Sequence, residues 1–195
     1  MELKKSETIK NLARAFAGEC QAGARYQFLR KQAMQKQLPY VADILKLLAT
    51  NEMAHAKVWF DIIVGCSRKL IENIEITAGY PYKCGNFEQR FVNEMENEKS
   101  EAQSIYPEFA KVAQKEGFDE IAKKFKMVAE VEKVHAKIFE QLVQKMQEDK
   151  LYSSDKNTVW VCSECGYQHS GKEAWKVCPL CSAPQGAVKV QIEMQ

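Results

Sequence analysis

Two short words in the chain, Glu52-Met53-Ala54-His55 and Glu132-Lys133-Val134-His135, set a carboxylate and an imidazole one helical turn apart. At that spacing both side chains lie on one face of a helix and can share a metal ion. Each word continues an apolar stripe: Leu45, Leu48, Glu52, His55 and Trp59 in one case, Phe125, Val128, Glu132, His135 and Phe139 in the other. The stripe position points these polar groups into a core rather than into water. A buried carboxylate without compensation is costly, so two such sites call for a cation. A single Glu-x-x-His usually belongs to a solvated helix face. Two at matched stripe positions, joined by Glu19 and Glu98 on the stripes of two further helices, fit a bundle-core arrangement that holds two metal ions. Glu101, one turn beyond Glu98, adds a fifth carboxylate where the first helix has Ala22. Such an acid-rich pocket makes electrostatic sense only around multivalent cations. Oxygen-rich ligation with some imidazole suits iron or manganese.

A second metal signature follows near the end of the chain. Cys162-Ser163-Glu164-Cys165 and Cys178-Pro179-Leu180-Cys181 are two Cys-x-x-Cys knuckles twelve residues apart, the pattern of a tetrahedral thiolate site. Zinc and iron both accept four thiolates. Trp160, Tyr167 and Trp175 supply a small aromatic shell, and no basic cluster accompanies them as a nucleic-acid-binding ribbon would require.

Four helices must position the carboxylates. The periodicity predicts them over Ser6 to Gln37, Pro39 to Val64, Asn86 to Lys115 and Asp119 to Glu148. Between the second and third runs a connection, Gly65 to Gly85, with β-branched Ile71, Ile74, Ile76 and Thr77. Its length fits a crossover between parallel neighbours, since the chain must travel back along the bundle. The halves repeat: the second helix maps onto the fourth 80 positions on, and Leu12, Phe16 and Glu19 map onto Phe91, Met95 and Glu98 79 positions on. Polar residues 151–157 read as a linker. The chain therefore divides into a bundle over 1–150, that linker, and a β-rich four-cysteine unit over 158–195, too small to fold on apolar burial alone.

Lys plus Arg (28) nearly balances Asp plus Glu (26), and 46% of residues are hydrophobic. That balance gives no reason to expect a nucleic-acid or membrane partner. The start of the chain is charged and lacks an apolar signal core. Seven cysteines without such a signal suggest metal ligands rather than disulfides, and the cytoplasm is the expected compartment. Cys20 points about 100° from Glu19 around the helix and reads as packing. Cys66 and Cys84 bracket the crossover with no role to assign, and His169 reads as a surface histidine.

Over essentially its whole length the chain resembles the rubrerythrin family. The resemblance is carried by Ala15-Phe16-Ala17-Gly18-Glu19-Cys20-Gln21-Ala22 leading to Arg25-Tyr26, by Glu52-Met53-Ala54-His55, Glu98-Lys99-Ser100-Glu101, Tyr106-Pro107-Glu108-Phe109-Ala110 and Glu132-Lys133-Val134-His135, and by the rubredoxin-like tail from Trp160 to Cys181. Asn97 stands where the family often has glycine, a change expected to touch helix packing more than ligation. The resemblance implies an all-α, ferritin-like four-helix bundle with a di-iron (Fe-O-Fe) centre, and a tail holding one mononuclear iron. It implies an oxidoreductase, a peroxidase that reduces hydrogen peroxide to water in oxidative-stress protection. Electrons would pass from an external donor (a reductase or rubredoxin) through the tail, within a head-to-tail homodimer. By the same resemblance Glu19, Glu52, His55, Glu98, Glu101, Glu132 and His135 are the ligands, with Glu101 exchanging for His55 on reduction. Tyr26 and Tyr106 are candidates to hydrogen-bond behind them, with ordinary core tyrosines as the alternative reading. A di-iron ferroxidase or oxidase, or an iron store with a structural zinc ribbon, are the alternative readings.

Overall fold

The computed structural model describes residues 2–67 and 73–194; Ile71, named above for the crossover, lies outside them. Helix α1 spans Glu7–Gln35, and its start is fixed by Ser6, whose side chain accepts the Ile9 N–H. A tight turn with Gln37 at φ 59° leads into α2, Pro39–Gly65, where proline's missing N–H costs nothing. The same turn recurs 80 residues later. Leu38 N–H bonds Ala33 O, as Phe118 N–H bonds Ala113 O, and Gly117 takes the positive φ before α5, Asp119–Gln147.

The third predicted helix is not one helix. It runs as α3, Phe87–Ser100, then a π-helical turn, Glu101–Ile105, then α4, Tyr106–Lys115. Pro107 sits at the start of α4 and has no N–H to donate, so the break in the helical ladder leaves no donor unpaired there.

Glu116, at the end of α4, accepts the Glu7 and Thr8 N–H groups that open α1. Lys36, just past the end of α1, lies over the Phe87 ring at the start of α3. The α3–α4 helix is therefore antiparallel to α1 and parallel to α2. It is not a neighbour of α2: α1 and α5 lie between the two, at the remaining corners. The crossover thus joins parallel helices on a diagonal. Its described part is sewn to α1, with the Arg14 Nε–H donating to Thr77 O and the Tyr80 hydroxyl to Arg14 O.

Two apolar clusters fill the bundle. One lies near the α1–α2 turn around Tyr26, Leu45, Phe91 and Phe139; the other lies toward the opposite end around Leu12, Trp59, Tyr106 and Phe125. Each large side chain buried there contributes about 2 kcal/mol. The Glu and His residues of the two stripes sit between the clusters.

Residues 153–157, read as linker from their polarity, form the first half of strand β1, Ser153–Val161, which pairs antiparallel with β2, Gln168–Glu173. A register irregularity between Ser153 and Thr158 absorbs the polar stretch. The tail docks on the bundle. Gly186 lies so close to the Gln37 carbonyl that an added Cβ would collide with it. Beyond it Val190 enters the bundle core, and the Gln141 side chain exchanges two hydrogen bonds with the Glu193 backbone.

Candidate metal centres

The bundle brings six of the seven predicted bundle ligands into two overlapping groups, Glu19–Glu52–His55–Glu132 and Glu52–Glu98–Glu132–His135, each with its ligand atoms within 4.8 Å of one another. All are buried except His55, which is partly exposed. His55 Nδ1 lies 3.0 Å from Glu132 Oε1 and 3.5 Å from both Glu19 Oε2 and Glu52 Oε2. His135 Nδ1 lies 2.8 Å from Glu132 Oε2, 2.9 Å from Glu52 Oε1 and 3.8 Å from Glu98 Oε2. Glu52 and Glu132 therefore split their two oxygens between the two histidines. Glu19 and Glu98 each serve one side.

These contacts are short, yet both Nδ1 atoms, both oxygens of Glu52 and of Glu132, Glu19 Oε2 and Glu98 Oε2 lack a hydrogen bond of acceptable geometry. The atoms converge on common points instead of aiming at one another. Buried polar groups are rarely left so, and two cations held among Glu19, Glu52, His55, Glu98, Glu132 and His135 would satisfy all eight. The residues fit a two-metal carboxylate centre.

The charge balance agrees. Burial, reinforced by neighbouring carboxylates, pushes Glu19 and Glu98 well above the usual carboxylate range. Burial would raise Glu52 as well, but the close His135 and His55 imidazoles hold it down at about 2. Against burial, the carboxylate contacts lift His55 to about 12 and His135 to about 9. Two imidazolium charges thus offset part of the carboxylate charge, a place that metal ions would fill.

The surroundings of the two sides differ. Glu19 Oε1 accepts from Tyr106 Oη and, at 3.3 Å, from Trp59 Nε1. Phe139, 80 positions after Trp59, stands at the equivalent place on α5 and has no donor to offer. His135 Nε2 faces the Asn51 carboxamide at 3.3 Å; with Nδ1 turned inward, that contact fixes the ring. Trp59 and Asn51 were missed as functional residues, the one hidden as the end of an apolar stripe and the other by its place one residue before Glu52. Of the two predicted tyrosines, Tyr26 packs on Phe139 and its hydroxyl finds no partner among the described residues. Asn97 bonds Glu94, which pairs with Arg25 of α1 through both oxygens at 3.0 Å, so it acts on helix packing.

Glu101 joins neither group. It opens the π-helical turn and sits at the rim, half-buried, with its carboxyl pushed up to about 8 by burial and then by the charge of Glu132.

In the tail, Cys162 Sγ lies 3.7 Å from Cys181 Sγ and Cys165 Sγ 3.7 Å from Cys178 Sγ, all four within 4.8 Å. A tetrahedron with metal–sulfur bonds of about 2.3 Å has edges of about 3.8 Å, so the four thiolates fit one ion. Both knuckles close alike: Gly166 N–H bonds Cys162 O and Ser182 N–H bonds Cys178 O, with φ of 75° and 62°. The Tyr167, Leu180, Cys181 and Ala183 amides point at the sulfurs. Trp160 is buried beneath them with its indole N–H on Gly171 O, and Tyr167 meets Trp175 edge-on. Cys20 and Cys66 are half-buried, and Cys84 and His169 are exposed. No helix among the described residues is long and apolar enough to cross a membrane.

Comparison with known proteins places this architecture. The model of the rubrerythrin family matches residues 10–143 and 94–165, and that of the rubrerythrin rubredoxin-like domain matches 160–187. Rubrerythrin-1 of Clostridium acetobutylicum is 37% identical over 193 residues, covering 98% of this chain and 97% of its own. Rubrerythrin of Nitratidesulfovibrio vulgaris is 34% identical over 184 residues, covering 94% and 93%. Among solved structures, partially reduced nigerythrin superposes with a TM-score of 0.63 at 23% identity, over 94% of this chain and 86% of that one. The bacterioferritin of Desulfovibrio desulfuricans gives 0.61 at 20% identity, over 74% and 82%. These two show a shared ferritin-like fold. With both of its metal-ligating units matched in order and its relatives aligned nearly end to end, the chain belongs to the rubrerythrin family.

Proposed function

We propose that this protein is a peroxidase that reduces hydrogen peroxide to water at a di-iron centre in the bundle, supplied with electrons by an iron held in the four-cysteine tail. The observation that carries the reading is the division of Glu52 and Glu132 between His55 Nδ1 and His135 Nδ1, which sets two metal positions side by side. Glu19, Glu52, His55, Glu98, Glu132 and His135 would hold the pair. When bound and reduced, the pair supplies two electrons together to a peroxide O–O bond, avoiding one-electron cleavage.

The chain's own residues prepare that step. Tyr106 and Trp59 hold one oxygen of Glu19 and leave the other facing the centre. Asn51 fixes the His135 ring. Glu101, at the rim, is the carboxylate free to enter or leave the centre, and it can carry a proton to the departing oxygen. The flanking apolar clusters keep bulk water away.

The tail docks at the α1–α2 turn, and Glu19 lies some sixteen residues before the end of α1, about 24 Å along the helix axis. Electron delivery within one chain would be long, which supports a head-to-tail homodimer in which one subunit's tail serves the other's centre.

Stopped-flow mixing of anaerobically reduced, iron-loaded protein with hydrogen peroxide and, separately, with dioxygen tests the reading. Faster reoxidation by peroxide, with about three irons per chain and a bleachable thiolate–iron spectrum, supports it. A colourless zinc-containing tail, or reoxidation by dioxygen alone, sinks it.

A further inference from the structure

A groove of about 450 Å³ opens beside the bundle centre, between α1, the crossover and the π-helical turn. Its inner end is formed by Glu101 and the buried Tyr106, the two residues that connect it to the centre. Hydrogen peroxide is little larger than water, whose share of liquid volume is about 30 Å³, so the groove is far roomier than that substrate needs. Its volume falls in the range of small-molecule sites, about 300–1,000 Å³.

The walls are apolar where they approach the centre: Ala15 and Gly18 on α1, Pro81 on the crossover, Ile105 and Phe109 opposite. The room comes from small residues on α1 and from the π-helical turn, which leaves Ile105 39% exposed at the rim. The polar groups nearby are engaged elsewhere. The Arg14 guanidinium is taken by Glu7, Asn11 and Thr77 O, the Tyr80 hydroxyl by Arg14 O, and Glu108 by Lys111. Apart from Glu101, no charged side chain among the described lining residues is free to hold an ionic ligand, so the occupant is neutral and largely apolar, with one end that reaches Glu101.

From this geometry we infer a second substrate class: organic hydroperoxides, with the alkyl or aryl group in the groove and the hydroperoxide end beside Glu101. The inference rests on the peroxidase reading above and extends its substrate range. The reaction balances as R–O–OH plus two electrons and two protons giving R–OH and water. The O–O bond breaks, its oxygens take up the two electrons and two protons, and the alcohol leaves by the groove; the metal pair that the bundle carboxylates and histidines would hold would supply the two electrons.

The test uses the full, metal-loaded chain. Reduced protein is mixed in stopped flow with hydrogen peroxide and with cumene hydroperoxide. Binding of the product alcohol, 2-phenylpropan-2-ol, to oxidised protein is measured by equilibrium dialysis, which does not depend on turnover. The expected results are reoxidation by cumene hydroperoxide within about tenfold of the hydrogen peroxide rate, and saturable alcohol binding. Ala78→Trp, at an exposed wall position on the crossover, should lower the ratio of cumene to hydrogen peroxide rates by about tenfold or more and abolish alcohol binding. Ile105→Trp, on the opposite wall, should do the same and serves should the first variant fold poorly. Reoxidation by hydrogen peroxide with none by cumene hydroperoxide, absent alcohol binding, or a ratio unmoved by both variants overturns the inference alone. Reoxidation by neither peroxide sinks the peroxidase reading and this inference with it.

Discussion

Tyr26 and Tyr106 stand 80 residues apart at equivalent places in the two helix pairs, and only Tyr106 reaches a carboxylate of the metal centre. Tyr26 packs at a tilt on Phe139 where Tyr106 stacks on Trp59, and Trp59 and Phe139 are themselves 80 apart. The duplication is visible, and its two copies have been put to different uses. Tyr106→Phe removes a hydrogen bond to a charged group, commonly about 1.5–3 kcal/mol. Peroxide reoxidation in stopped flow should slow by roughly tenfold or more. Tyr26→Phe removes only an unpartnered hydroxyl and should leave that rate and the melting temperature nearly unchanged.

The offset also identifies the π-helical turn. Glu19 and Glu98 are 79 apart, whereas the tyrosines and the turns at Gln37 and Gly117 are 80 apart. One residue is extra in the second copy between Glu98 and Tyr106, where the π-helical turn lies. Deleting Glu101 should restore an unbroken helix and preserve binding of two metal ions, measured by metal analysis. Peroxide reoxidation should fall at least about tenfold, the usual scale for losing a group that acts in proton transfer.

Glu116 caps the start of α1 from the end of α4. Burial would raise its carboxyl, but hydrogen bonds from the Thr8 hydroxyl and the Glu7 and Thr8 N–H groups hold it below its ordinary value of 4.5. A lowered folded value means the stabilisation is present above pH 4.5 and lost as pH falls through the folded value. Glu116→Ala should cost about 1 kcal/mol at pH 7, the scale of a helix cap. The gap in melting temperature between wild type and variant should close as the scans move to acid.

Gly186 is a glycine because of where it sits and not because of its own φ. Gly186→Ala places a methyl group against the Gln37 carbonyl, so the tail must shift. Limited proteolysis should cut the stretch between α5 and β1 faster than in wild type, while the thiolate–metal spectrum of the tail stays the same.

The helices, both knuckles and the six carboxylate and imidazole residues that meet at the bundle centre were legible because each is a local pattern: a stripe, a cap, a fixed spacing. What escaped was set by a single inserted residue or by contacts between distant segments. The π-helical turn leaves no periodic signature within five residues, so Glu101 read as one more member of the Glu98 face. Trp59 looks like core until Glu19 is placed opposite. Residues 153–157 look like linker until Glu173 supplies a strand partner. The diagonal placement of α2 and α3–α4 depends on packing that no run of residues encodes alone.

The docking of the tail has a thermodynamic side. Val190 is part of the bundle core and Met194 reaches the α2–α5 groove beside His135, so the tail cannot unfold without exposing apolar surface on the bundle. A four-cysteine unit of this size draws its folding free energy from its metal. Ligand linkage then passes that free energy to the helices: a chain that loses the tail ion melts at a lower temperature throughout and offers the bare flank of α5 to proteases. Protein that has lost its tail ion is thereby marked for removal by its own loss of stability.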